Sequence, residues 1–158
     1  METITKLEVK EITWPGKTFI SKRTKMSFDK LSTFFGETYG AIYSALGKQG
    51  IQSQEPPFSI YYSVDEAKKE TDLAAAVAVP ESAKDIEGFE KVNIPRSKAL
   101  LVTYYGPYDN MRPAYEKLDE YVAKHNLKRE WMLEQYFSDP QVEKDPAKWK
   151  TDIYFIVK

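Results

Sequence analysis

The chain matches itself, and that constrains its fold more than any other feature. Pro15 in "WPGK" and Pro95 in "IPRS" stand 80 positions apart, and the same step carries Phe28 to Tyr108, Asp29 to Asp109, Phe35 to Tyr115 and Ile42 to Val122. The step shortens to 74 where Tyr62 meets Tyr136 and Asp65 meets Asp139, then returns to 80 for "TDL" at 71–73 and "TDI" at 151–153. Two loops of compensating length explain the change. "GKQGIQSQEPP" lengthens the first half before this segment, and "SDPQVEKDPAKWK" lengthens the second half after it. Added loop length costs little entropy, so such changes are tolerated. A chain of 158 residues with two copies is too short for a solenoid and has the size of one domain built from two halves.

Hydrophobic spacing fills in the elements. Leu31, Phe34, Phe35, Thr38, Ile42 and Ala45 follow helical steps, as do Met111, Ala114, Tyr115, Leu118 and Val122. They predict helices near 28–47 and 110–126, with Ser27 and Asp109 as N-caps and Gly47 and Asn126 as stops. Strands are expected near 3–14, 18–26, 58–63, 72–80, 87–94, 98–105, 130–137 and 151–158. "DLAAAVAVP" could be helical by its alanines, but its length, its valines and the closing Pro80 favour a strand. The result is β-β-α-β-β twice, with one repeat over about 3–80 and the next over about 87–158. This predicts an α+β fold in which one domain, 1–158, is a tandem pseudo-twofold repeat. Its antiparallel sheets carry helices on one face, with a groove between the halves, a preferred place for a ligand.

Composition narrows the function classes. Lys plus Arg number 23 against 24 Asp plus Glu, so no basic excess marks a nucleic-acid footprint. No cysteine is present, which excludes disulfides, thiolate nucleophiles and Cys-ligated metals. The start "METITKLEVKEITW" has no apolar leader core, and no run reaches membrane-spanning length; a cytoplasmic protein is expected. Phosphate-binding, dinucleotide, zinc-protease and nucleophile-elbow motifs are missing, and neither a metal nor a cofactor is expected. His125, the only histidine, falls at a helix end and reads as a surface residue.

Within "REWMLEQYFSDP" (129–140) an apolar strand carries an acid at its centre. A carboxylate cannot be dry and unpaired without a large cost. Strand alternation puts Met132, Glu134 and Tyr136 on one face, and Trp131, Leu133 and Phe137 on the other. The bulkier second face is expected to pack on the helices, which turns Glu134 away from them, toward solvent or the groove. The step of 74 matches this face to Phe58, Ile60 and Tyr62, so the groove would hold one carboxylate. In the last strand Ile153, Phe155 and Val157 share one face, and Asp152, Tyr154 and Ile156 the other. Two readings of Glu134 stay open: an ion-paired residue on a wetted sheet face, or a site carboxylate. "EKDPAKWK" reads as a solvated loop, and "GPYDN" as a turn into a helix that also presents Tyr108.

"GPYDNMRPAYEKLDEYVAKHNL", "EWMLEQYFSDP", "TDIYFIVK" and, in the first half, "PPFSIYYSVD" together resemble the GyrI-like small-molecule-binding domain, also called the bacterial effector-binding domain. The resemblance implies a pair of β-α-β-β units around a central groove. In multidrug-sensing regulators of the MerR and AraC types, such a groove takes lipophilic, often cationic, aromatic compounds. The family's buried glutamate matches Glu134, and its aromatic positions map onto Tyr108, Tyr136 and Tyr154. Met132 on the same strand face joins the expected ligand contacts, with Phe28, Ile60 and Tyr62 opposite by pseudo-symmetry. Some stand-alone members resemble hydrolases of cyclopropane-bearing toxins, which would make Glu134 and Tyr136 catalytic; another protects DNA gyrase, which would make the chain a protein-interaction module. With no room for a helix-turn-helix before residue 3, direct operator binding is not expected, nor is a membrane partner. The expected partner is a hydrophobic or cationic small molecule.

Overall fold

Eight strands and two helices occur in the expected order in the computed structural model, which describes residues 7–53 and 55–158. β1 (Lys10–Trp14) and β2 (Lys17–Ser27) precede α1 (Leu31–Lys48), followed by β3 (Phe58–Asp65) and β4 (Glu70–Val79). β5 (Glu90–Ile94) and β6 (Ser97–Tyr105) precede α2 (Arg112–Lys124), followed by β7 (Arg129–Tyr136) and β8 (Lys150–Val157). Of the first expected strand, residues 3–6 lie outside the described residues. The "DLAAAVAV" segment is strand β4.

The helix starts differ from expectation. A single 3-10 turn precedes each helix, Phe28–Lys30 before α1 and Tyr108–Asn110 before α2. Asp109 therefore lies inside a turn, Met111 is the N-cap of α2, and neither Met111 nor Ser27 caps through its side chain. Pro113 stands in the first turn of α2, where its missing N–H costs nothing. Asn126 ends that helix with a left-handed φ of +54°.

The chain forms two compact units, and their boundary departs from the expected repeats. The C-terminal unit joins β1 to β6, α2, β7 and β8, and its strands run β1-β6-β8-β7, all antiparallel. The N-terminal unit joins β2, α1, β3 and β4 to β5, in the order β3-β4-β2-β5. The first strand of each sequence half thus pairs in the other unit. Two prolines give the physical reason. β1 and β2 are joined only by Pro15 and Gly16, and β5 and β6 only by Pro95 and Arg96. A two-residue hairpin needs positive φ at its first central residue, and proline fixes φ near −65°. Neither connection can fold back tightly, so each strand pairs elsewhere.

Gly16 completes the first connection with φ +86°, a left-handed value that glycine adopts without steric cost. A Cβ there would also stand 3.2 Å from the backbone nitrogen of Arg96. We expect Gly16→Ala to lower the unfolding free energy by about 1–3 kcal/mol, measurable by urea denaturation.

Each helix covers one face of its own sheet. In the C-terminal unit, Ala114 and Leu118 of α2 bury against Leu100, Val102, Ile153 and Phe155. In the N-terminal unit, Ile42 and Leu46 of α1 close on Ile20 and Val77.

Candidate functional site

The β7–β8 ladder decides where Glu134 points. Met132 stands opposite Phe155, Glu134 opposite Ile153 and Tyr136 opposite Thr151. Ile153 and Phe155 belong to the core under α2, and Met132 packs against it. Glu134 therefore points toward the helix, not away from it. The expectation rested on the bulk of the other face and failed; the match to the first half is separately off by one residue, and in a strand such a slip exchanges the faces. From Glu134 the ladders lead through Ile153 to Val102. The residue 80 positions earlier is Lys22, which leads through Ala75 to Ser59, not Ile60. The same route carries Tyr136 to Tyr61, not Tyr62.

Glu134 is only 7% exposed, so the wetted-face reading does not hold. Its carboxylate is met by phenols: Tyr115, one turn into α2, donates to Oε2, and Tyr136 donates to Oε1 at 2.8 Å. Hydrogen bonds to an ionised acceptor are among the stronger kinds and offset part of the cost of burial.

Aromatic rings continue the site. Tyr108, in the 3-10 turn before α2, stacks on Trp149 with ring centres 5.0 Å apart, and meets Tyr136 edge-on at 5.6 Å. Its hydroxyl donates to the Ser138 carbonyl at 3.3 Å. Burial pushes the Tyr108 phenol above its ordinary pKa, and the negative charges of Asp139 and Glu134 add to the effect. The phenol is thus neutral at physiological pH. Trp149 is anchored through its indole N–H, which donates to the Glu143 carbonyl at 2.7 Å. Opposite Tyr136, the Thr151 hydroxyl is buried and has no hydrogen-bond partner among the described residues.

Gly106 makes the turn toward Tyr108 possible. Its φ is +148°, and a Cβ there would lie 2.6 Å from the Tyr104 hydroxyl. That hydroxyl donates to the Pro107 carbonyl at 2.7 Å.

The other expected site residues are dispersed. Tyr154 is on the opposite face of β8 from the Glu134 side, since its ladder partner is Leu133. Its ring packs edge-on against Trp14 at 5.3 Å, so it shares no surface with Glu134. In the N-terminal unit Ile60 is fully buried, and Phe28, at the start of its 3-10 turn, is 37% exposed. There the Arg23 guanidinium lies 3.7 Å from the centre of the Tyr62 ring. His125 is an exposed residue whose ring lies tilted against that of Tyr121, with centres 4.0 Å apart.

Two site residues escaped the sequence reading. Tyr115 occupies a core-facing position of its helix, and a buried tyrosine hydroxyl normally finds a partner; that was a signal for a buried acceptor facing α2. Trp149 lay in a segment expected to be a solvated loop. Instead the segment forms the 3-10 turn Pro146–Lys148, which delivers the indole to Tyr108.

Among the described residues no group of three or more His, Asp or Glu side chains could hold a metal ion, and no helix is long and apolar enough to cross a membrane. No curated protein matches the sequence. Solved structures share the fold. The EcmrR C-terminal domain matches at 22% identity with a TM-score of 0.74, covering 96% of this chain and 98% of that one. A hydrolase from Listeria innocua matches at 13% identity and TM-score 0.65, over 96% and 92%. SAV2435 bound to tetraphenylphosphonium matches at 13% identity and TM-score 0.64, over 98% and 94%. The model of the GyrI-like small molecule binding domain matches residues 7–158, which takes in both units and every residue around Glu134, and the chain belongs to that family.

Proposed function

We propose that this GyrI-like domain binds lipophilic organic cations bearing aromatic groups, with Glu134 meeting the charge and Tyr108, Tyr136 and Trp149 offering ring faces. The observation that carries this reading is the buried carboxylate between two tyrosine hydroxyls, beside a Tyr–Trp stack. Each carboxylate oxygen accepts a phenol proton and aromatic rings stand beside it, so the site suits a cation whose charge is flanked by aromatic groups. Attraction between a cation and ring faces strengthens when water is excluded. The Thr151 hydroxyl, buried and without a hydrogen-bond partner among the described residues, gives a ligand a polar group to satisfy. A structural relative, SAV2435, is seen bound to tetraphenylphosphonium, a cation of this class. Titrating the chain with tetraphenylphosphonium should give saturable binding and return the compound intact. Failure to saturate, with a neutral aromatic dye binding as well, overturns the reading.

A second reading rests on the same hydrogen bonds. A carboxylate held by two phenols can take a proton from water while a tyrosine donates one, the pattern of general acid–base hydrolysis. Here the discriminating measurement is product analysis after incubation with a strained electrophile such as an activated cyclopropane. Consumption that stops in Glu134→Gln supports hydrolysis, and quantitative recovery supports binding.

A further inference from the structure

A second buried carboxylate lies on the sheet face opposite Glu134. Asp152, on β8, is 7% exposed. Thr103 donates to its Oδ1 at 2.6 Å. The Tyr154 hydroxyl is 3.5 Å from Oδ2 and 3.2 Å from the Gln135 Oε1. Among the described residues Asp152 makes no ion pair; Lys150, two positions along the same strand face, lies over the Phe137 ring instead. Hydroxyls alone leave the charge of a desolvated carboxylate uncompensated.

In the N-terminal unit the matching carboxylate is less deeply buried and has a cation of its own. Asp72, in the matching "TD" of β4, receives Arg23 in a two-pronged contact, Nε to Oδ1 and Nη2 to Oδ2, both at 2.9 Å. The guanidinium lies flat enough on Tyr62 to hold 3.7 Å from its ring centre. On β2, the residue opposite Asp72 is Lys25, with Arg23 two further along the same face. On β6, the residue opposite Asp152 is Thr103, with Leu101 and Tyr105 on either side. None of the three carries a charge. Lys10 stands opposite Leu101 at the next strand, but it is exposed and takes no part at Asp152.

We propose that Asp152, with Thr103, Gln135 and Tyr154 around it, is a second binding site, for a guanidinium or amidinium group supplied by a ligand. The group takes the role at Asp152 that Arg23 has at Asp72. A planar pair of N–H donors matches a carboxylate in two parallel hydrogen bonds. Oδ2 has only the long Tyr154 contact and accepts one of them. The Tyr154 ring, held edge-on by Trp14, flanks the plane as Tyr62 flanks Arg23. Thr103 and Tyr154 are only partly buried, so the carboxylate is reached past them. Glu134 differs in its surroundings: a phenol at normal hydrogen-bond reach or closer on each oxygen and a Tyr–Trp stack beside it, where Asp152 Oδ2 has only a 3.5 Å contact. The two sites therefore sort cations by whether they carry N–H donors.

Calorimetric titration of the full chain with benzamidine, protonated at neutral pH, tests the proposal. Saturable binding is expected in the wild type, and Asp152→Asn should weaken it about tenfold or more, the scale of a lost charge-assisted pair. The same variant should bind tetraphenylphosphonium, which has no N–H, as the wild type does. Because the variant could fail to fold, amide shifts of the wild-type protein on adding benzamidine give an independent measurement. Shifts gathered at Thr103, Gln135, Asp152 and Tyr154 support the site. Shifts gathered at Tyr115 and Tyr136 overturn it, as does undiminished benzamidine binding by folded Asp152→Asn, or no saturation by about 1 mM.

Discussion

Glu134→Gln is expected to weaken tetraphenylphosphonium binding roughly tenfold to a hundredfold, about 1–3 kcal/mol, while the fold persists. The amide keeps the shape of the side chain. Its carbonyl still accepts from one of the two tyrosines, and the other hydroxyl can rotate to accept from the new NH₂. A buried charge is removed at the same time, which is neutral to favourable where the partners are themselves uncharged. The unfolding free energy should therefore change by less than about 1 kcal/mol. A neutral aromatic dye should bind the variant as well as the wild type. If stability falls while tetraphenylphosphonium binds as before, Glu134 is a structural residue and the proposed site is wrong. Isothermal titration beside a urea melt gives both numbers.

The largest stability effect is expected at Phe155. It is fully buried, stands between Leu100 and Met132 in the ladders, and belongs to the core closed by α2. Phe155→Ala should cost about 3–5 kcal/mol, the lost transfer energy plus a cavity that its β-sheet neighbours cannot fill. The Arg129 guanidinium, 5.2 Å from the ring centre, loses a contact as well. The ring also backs Tyr115, with centres 6.1 Å apart, so the donor to Glu134 loosens and ligand binding should weaken in any variant that still folds. Denaturant midpoints of wild type and variant decide the first point. A loss below about 1 kcal/mol would show that the site collapses around the void.

Much of this was legible in the residues. Helical spacing found both helices, because each buries a single stripe against one sheet face. The "TDI" strand was legible as a strand, but its faces were not distinguishable: Asp152, Ile153, Phe155 and Ile156 are all buried, so alternation gives no contrast. The same ambiguity affected β7. Trp131 and Leu133 looked like the helix side by bulk alone, yet Met132 and Glu134 take it. A step of 75 in place of 74 likewise exchanges the faces matched in the first half, and residue type cannot separate the two when tyrosines stand at both 61 and 62. Trp149 was illegible for another reason. What fixes it is a ring stack and an indole hydrogen bond across a loop, and neither leaves a periodic trace.

The exchanged first strands also bear on how the chain can fold. Pairing Trp14 with Ser97, and Lys10 with Leu101, closes a loop that contains the whole of the N-terminal unit's β2–β5 segment. Contacts so distant in sequence are slow to form, because closure entropy is spent before they contribute. β5, by contrast, reaches β2 without waiting for anything downstream of Ile94. A ribosome emitting this chain thus exposes a segment that can complete its own ladder early, while β1 stays unpaired until β6 has been made. Cutting between β4 and β5 would give two fragments, each carrying the edge strand that belongs to the other.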